Sequence, residues 1–146
     1  MTKPVRKSAL ASRVIEDLAQ VPRIEAFGPI ASRFIYSLRL IALHERARRD
    51  PIPELTARLG SVEIAAKALA LSQAVTATWP EDIHVSRFCC QCLTHDEATL
   101  ASVIDCAVAR DRVGFEQQVH GLIRPEREGR LWDAVFALVL AEMHAA

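Results

Sequence analysis

The sequence predicts an all-α fold, a compact bundle of five or six helices with no sheet. Three observations carry this expectation. Apolar residues recur every three or four positions through most of the chain, the period of a helix that faces a core. No stretch shows sustained alternation or clustered β-branched residues, the marks of a strand. Prolines, glycines and capping residues fall between the periodic stretches, where helices start and stop. The composition agrees: 146 residues, 51% apolar and 25% charged, suit a single helical domain spanning 1–146. A chain of this length buries enough surface to fold without disulfides or metal.

Residues 8–20 read as a short amphipathic helix with Leu10, Val14, Ile15 and Leu18 on one side, loosely attached within residues 1–22. Val21-Pro22 ends it, because the residue before a proline disfavours the helical region. Gly28-Pro29 opens the next helix, which the pattern carries to about Arg49. Ile30, Phe34, Leu38 and Ile41 form one face, while Tyr36, Leu40 and Leu43 form a second. A helix apolar on two sides belongs at the centre of its fold.

Asp50-Pro51-Ile52-Pro53 breaks the chain, a short helix follows from Pro53 to Leu59, and Gly60 supplies a left-handed stop. Ser61 caps a helix to about Thr78, whose inner stripe is Ile64, Ala68, Leu71 and Val75. Residues 80–93 have no helical period. Thr94-His95-Asp96-Glu97 has the form of a capping box and starts a helix to about Arg110. Phe115, Val119, Leu122 and Ile123 mark another. After Arg124-Pro125, the residues Leu131, Trp132, Val135, Phe136, Val139 and Met143 mark the last.

Equal numbers of basic and acidic residues, 18 of each, conceal an asymmetry. Residues 1–49 hold ten basic residues against four acids, and the remainder holds eight against fourteen. Either the faces are solvated and complement one another internally, or a basic strip meets an acidic partner, nucleic acid or a second copy of the chain. A sequence pI near 7.0 argues against a dedicated nucleic-acid binder. The start has no continuous apolar stretch of the signal-peptide kind, and no run approaches the ~20 residues that cross a membrane. The expected compartment is the cytoplasm, with no membrane partner and with cysteines present as thiols or metal ligands.

Cys89, Cys90 and Cys92 lie within four residues, directly before the capped helix. Cys89 and Cys92 have the spacing that lets two thiolates meet one metal ion or close a small disulfide loop. Zinc is the metal such a set would take, with Cys89, Cys90, Cys92 and His95 as ligands and His84 within reach upstream. Cys106 is a poor addition, because it lies eleven residues beyond His95 on one helix, about 16 Å along the axis. A helix start also favours thiolate, which opens a redox or reactive-thiol reading. The third reading is plain packing, since a free cysteine behaves as a small hydrophobe.

The stretch from Phe34 to about Leu100 resembles an uncharacterised family of small bacterial helical proteins, a domain of unknown function. The likeness rests on FIYSLRLIALHERARRD, on VEIAAKALALSQAVTA, and on CCQCLTHDE, two or three cysteines followed by Thr and an acid. Gln91 interrupts the adjacent-triple form commoner in that family. The resemblance implies shared architecture and no activity.

Templates for nucleotide binding and hydrolysis are absent: there is no GxGxxG, GxxxxGK[ST], GxSxG or HExxH. His44-Glu45 reads as an exposed contact near a helix end, and Trp79 and Trp132 as core or groove-lining residues. Three functional readings follow. The first is a non-enzymatic interaction or regulatory protein, self-associating or bound to another protein, whose cysteine turn is structural, metal-linked or redox-responsive. The second is a helix-turn-helix-like DNA-binding regulator using residues 53–78, with Glu63, Lys67, Ser72, Gln73 and Thr76 on the second helix facing the groove. The third is a thiol enzyme built on Cys89 or Cys92, for which no positioned base is evident.

Overall fold

The structure, a computed structural model, describes residues 21–145. Among them, one turn of 3-10 helix (Ile24–Ala26) precedes six α-helices. These are α1 (Pro29–Arg46), α2 (Ile52–Leu59), α3 (Val62–Thr78), α4 (His95–Val108), α5 (Arg112–Val119) and α6 (Pro125–Ala145). No sheet forms among the described residues; a lone antiparallel bridge joins Arg23 to Cys92. The fold is all-α, as the periodicity requires. The helix expected over residues 8–20 lies outside the described residues.

Local chemistry explains the starts. Pro29 occupies the first turn of α1, where its missing N–H would have had no helical partner. The Ser61 hydroxyl accepts from the Ile64 N–H at 3.3 Å, and Thr94 with Glu97 closes both halves of a capping box. Asp111 caps α5 by accepting from the Gly114 N–H at 2.9 Å.

Two helices stop two or three residues earlier than their pattern: α1 at Arg46 instead of about Arg49, and α4 at Val108 instead of about Arg110. The reason is the same at both ends. Arg48 (φ 54°) and Arg110 (φ 56°) adopt the left-handed conformation, a place usually given to glycine. At the first, the N–H groups of Arg48 and Arg49 turn back to the carbonyls of Glu45 and His44. At the second, those of Arg110 and Asp111 reach Ala107 and Cys106. Each pair satisfies carbonyls that the helix would otherwise leave open.

α3 lies along α6, while α4 is flanked by α1, α5 and α6. Phe34, Ile35, Leu71, Leu100, Ile104, Phe115 and Leu131 interlock between them and are fully buried. A smaller cluster of Leu40, Ile41, Leu55 and Ala65 lies under α2, with Phe88 packed on it. On α6, Leu131, Val135 and Val139 face the core as expected, but Trp132 and Phe136 are half-buried and Met143 is exposed. Among the described residues, the apolar arc of that helix is wider than the surface that covers it.

Gly60 ends α2 at φ 79°, and a methyl group there would meet nothing within 4 Å. Gly60→Ala is therefore expected to cost about 1 kcal/mol through backbone strain alone, measured by chemical denaturation. A neutral effect would mean that the turn relaxes out of the left-handed region.

Candidate functional site

Between α3 and α4 the chain runs from Trp79 to Thr94 without regular structure. Such a segment must find partners for its backbone polar groups somewhere. Its partners come from Arg39, in the middle of α1 between Leu38 and Leu40. Only 1% of Arg39 is exposed. Its guanidinium donates five hydrogen bonds, matching its five N–H groups. Two bind the Glu97 carboxylate in a fork, Nε at 2.8 Å and Nη2 at 3.1 Å. The other three reach the carbonyls of Phe88 (3.3 Å), Cys90 (2.7 Å) and Cys92 (3.1 Å).

Glu97 is itself fully buried at 0% exposure. Besides the guanidinium it accepts from the backbone N–H of Ser86 (3.2 Å) and of Thr94 (2.9 Å). One carboxylate thus completes the α4 cap, pairs with Arg39 and ties down the loop. Burial alone would raise its pKa; the Arg39 hydrogen bonds and charge, with the two amides, outweigh that and hold it below the usual glutamate range.

The loop is fastened on other sides too. Asp96 accepts from the His84 N–H (2.9 Å) and from the Trp79 indole (3.4 Å), and the Thr94 hydroxyl donates to the His84 carbonyl (2.6 Å). From outside, the Ile24 N–H donates to Gln91 and the Leu93 N–H to Pro22, both within 2.9 Å. With the carbonyls of residues 88, 90 and 92 drawn inward, the side chains of Cys89 and Gln91 are exposed.

The four residues expected to share a zinc ion are spread along this strap: Cys89 exposed, Cys90 and Cys92 half-buried, His95 exposed on the first turn of α4. Among the described residues, no three His, Cys, Asp or Glu side chains form a group able to hold a metal ion. The inward hydrogen bonds of the turn to Arg39 come from its backbone carbonyls. Cys106 sits half-buried against the core edge of α4; burial pushes its thiol up, and the charges of Asp111 and Asp105 add to that. All four cysteines are free.

Other expectations fare unevenly. The basic strip is divided, because Arg39 is interior and Arg33 pairs with Glu142 at 2.8 Å. His44 is not an exposed contact: it is half-buried and bonds Glu54 of α2 at 2.6 Å. Ser72, placed on the groove-facing side of the second helix, is 7% exposed and faces inward instead. Trp79 is in the core, and Trp132 stacks beside Phe136 with ring centroids 5.8 Å apart.

The residue that sequence reasoning missed is Arg39. Its signal is a cation embedded in LRLI on a helix already apolar on two faces, where no polar face remains for it. Comparison of the chain with known protein families, curated proteins and solved structures finds no match.

Breaking one side of a buried ion pair leaves the other charge stranded. Arg39→Met and Glu97→Gln are each expected to lose about 3–5 kcal/mol in chemical denaturation. Hydrogen exchange at the Ile24 and Leu93 amides should accelerate with them, and losses under 1 kcal/mol would mean the pair is dispensable.

Acid acts on the same contact. The unfolded Glu97 takes up its proton near the ordinary value of about 4.3, whereas the folded one resists until lower pH. Stability is therefore expected to be full above that ordinary value and to fall as pH drops through the folded one. Glu97→Gln should flatten this acid dependence, and an unchanged slope would assign it to other carboxylates.

Proposed function

We propose that this chain is a non-enzymatic, all-helical interaction protein of regulatory type, in which the cysteine-bearing turn is a structural strap. The observation that supports this reading is the complete use of the Arg39 guanidinium by Glu97 and three carbonyls of the turn. A turn fixed through its main chain presents a constant surface. Here that surface is a broad depression of about 570 Å3 lined by Val85, Ser86, Arg87, Cys89 and Cys90.

Self-association is the preferred form of interaction, and α6 supplies its support. Phe136, Leu140 and Met143 follow one another at helical spacing, with Leu140 38% and Met143 44% exposed. Apolar groups repeating on one outer face are a common mark of protein contact. No helix among the described residues is long and apolar enough to cross a membrane.

The other readings have less support. A thiol enzyme needs a base held in place, and among the described residues no hydrogen bond orients the ring of His84 or His95. The DNA reading over residues 53–78 finds one cation, Lys67, among the exposed residues of α3, beside Val62, Glu63, Ala66 and Gln73. Zinc on Cys89, Cys90, Cys92 and His95 would require the thiols to converge while the carbonyls stay on Arg39. Kinship with the domain-of-unknown-function family belongs to this proposal as well; it rests on the two helix blocks and the cysteine block, of which the cysteine block is the most specific.

Sedimentation velocity is the direct test of association. The full chain is expected to associate as its concentration rises, and Leu140→Glu with Met143→Glu to abolish this; a monomer at every concentration would overturn self-association. Replacing Cys89, Cys90 and Cys92 together by serine is expected to shift the melting temperature by less than about 3 °C. Unfolding of that variant, together with stoichiometric zinc in the parent, would make the turn a metal site. In thiol titration Cys89, the exposed thiol, should react first, and Cys106, whose thiol burial pushes up, last.

A further inference from the structure

A second feature stands apart from the strap's outer face and does not depend on the interaction reading. Between α1, α2 and Phe88 lies a cleft of about 310 Å3. Leu40, Leu55 and Leu59 form its apolar floor, with Leu55 1% and Leu40 5% exposed. Tyr36 and Phe88 form a wall of two rings, their centroids 5.8 Å apart and their planes at 58°. Arg33 and Arg58 stand at its edge.

From this arrangement we infer that the cleft binds a small aromatic monocarboxylate, its ring among Tyr36, Phe88 and the leucines and its carboxylate on Arg58. Three features select that class. The volume lies at the lower end of pockets that hold small organic ligands, about 300–1,000 Å3, and is short for a peptide segment. The charged groups lining it are both guanidinium ions. Their acidic partners, Glu142 and Glu54, lie outside the lining, and the Glu54 contact to Arg58 is long at 3.5 Å and solvent-exposed. Arg58 thus retains donors for an incoming carboxylate, which a guanidinium binds in a fork.

The third feature is that the cleft is held in shape before any ligand arrives. The Phe88 carbonyl is anchored to Arg39, which fixes one wall. Arg58 lies over the Phe88 ring, its guanidinium carbon 4.8 Å from the centroid. Arg33 is clamped between Glu142 (2.8 Å) and the Leu59 carbonyl (3.0 Å). Such a site loses little freedom on binding. A metal cation would meet two positive charges and no carboxylate, and a neutral hydrocarbon would leave the open donors of Arg58 unused.

The test is titration of the full chain with 2-naphthoate, followed by ligand fluorescence and by NMR shifts, with neutral 2-naphthamide as the matched control. Saturable one-to-one binding is expected, with shifts at Tyr36, Leu55, Leu59 and Phe88. Naphthamide should bind about tenfold more weakly, and Arg58→Ala should weaken naphthoate by a similar factor. Arg58→Glu should abolish binding while Arg58→Lys retains part of it. Because Arg58 is half-exposed, these variants are expected to keep the parent melting curve. The proposal is overturned by an absence of saturable binding at millimolar naphthoate, by equal binding of the amide, by indifference to Arg58→Glu, or by shifts located elsewhere.

Discussion

The buried pair of Arg39 and Glu97 is the contact around which the irregular part of this protein is arranged. Most loops satisfy their main-chain groups with water at the surface. Here a guanidinium placed inside the bundle accepts that task, and a carboxylate beside it prevents the charge from being stranded. The arrangement is costly to desolvate, yet every donor of the guanidinium is used. Its consequence is specificity of shape: the strap has one position because the three carbonyls have one cation to meet.

That constraint links two surfaces. Phe88 gives its carbonyl to Arg39 and its ring to the cleft, whereas Cys89, the next residue, faces the opposite way into solvent. Arg33, Arg39 and Arg58 thereby divide the labour of a charge that looks like one strip in the sequence. One closes against the end of α6, one is interior, and one is presented at a cleft.

The apolar face of α6 and the cysteine turn are different kinds of surface. The first is a helix with more hydrophobic arc than its neighbours among the described residues cover. The second is polar backbone pinned from inside by Arg39. Small soft side chains suit such a turn because they leave room for three inward carbonyls at alternate positions, 88, 90 and 92.

By itself the sequence determined the helices, because each depends on neighbours within a few positions. Thr94 with Glu97, Ser61 with Ile64, Pro29 after Gly28 and the stop at Gly60 are local events, legible from spacing and side-chain type. The ends at Arg48 and Arg110 were less legible, since nothing local distinguishes an arginine that enters the left-handed region from one that continues a helix. Only the tertiary structure decided where the carbonyls of the cysteine turn go. Whether a thiol or its carbonyl faces inward depends on a cation about fifty positions earlier in the chain, and no short-range pattern joins residue 39 to residues 88–97. The same holds for the cleft, whose wall and edge come from three separate segments that meet only when the bundle closes.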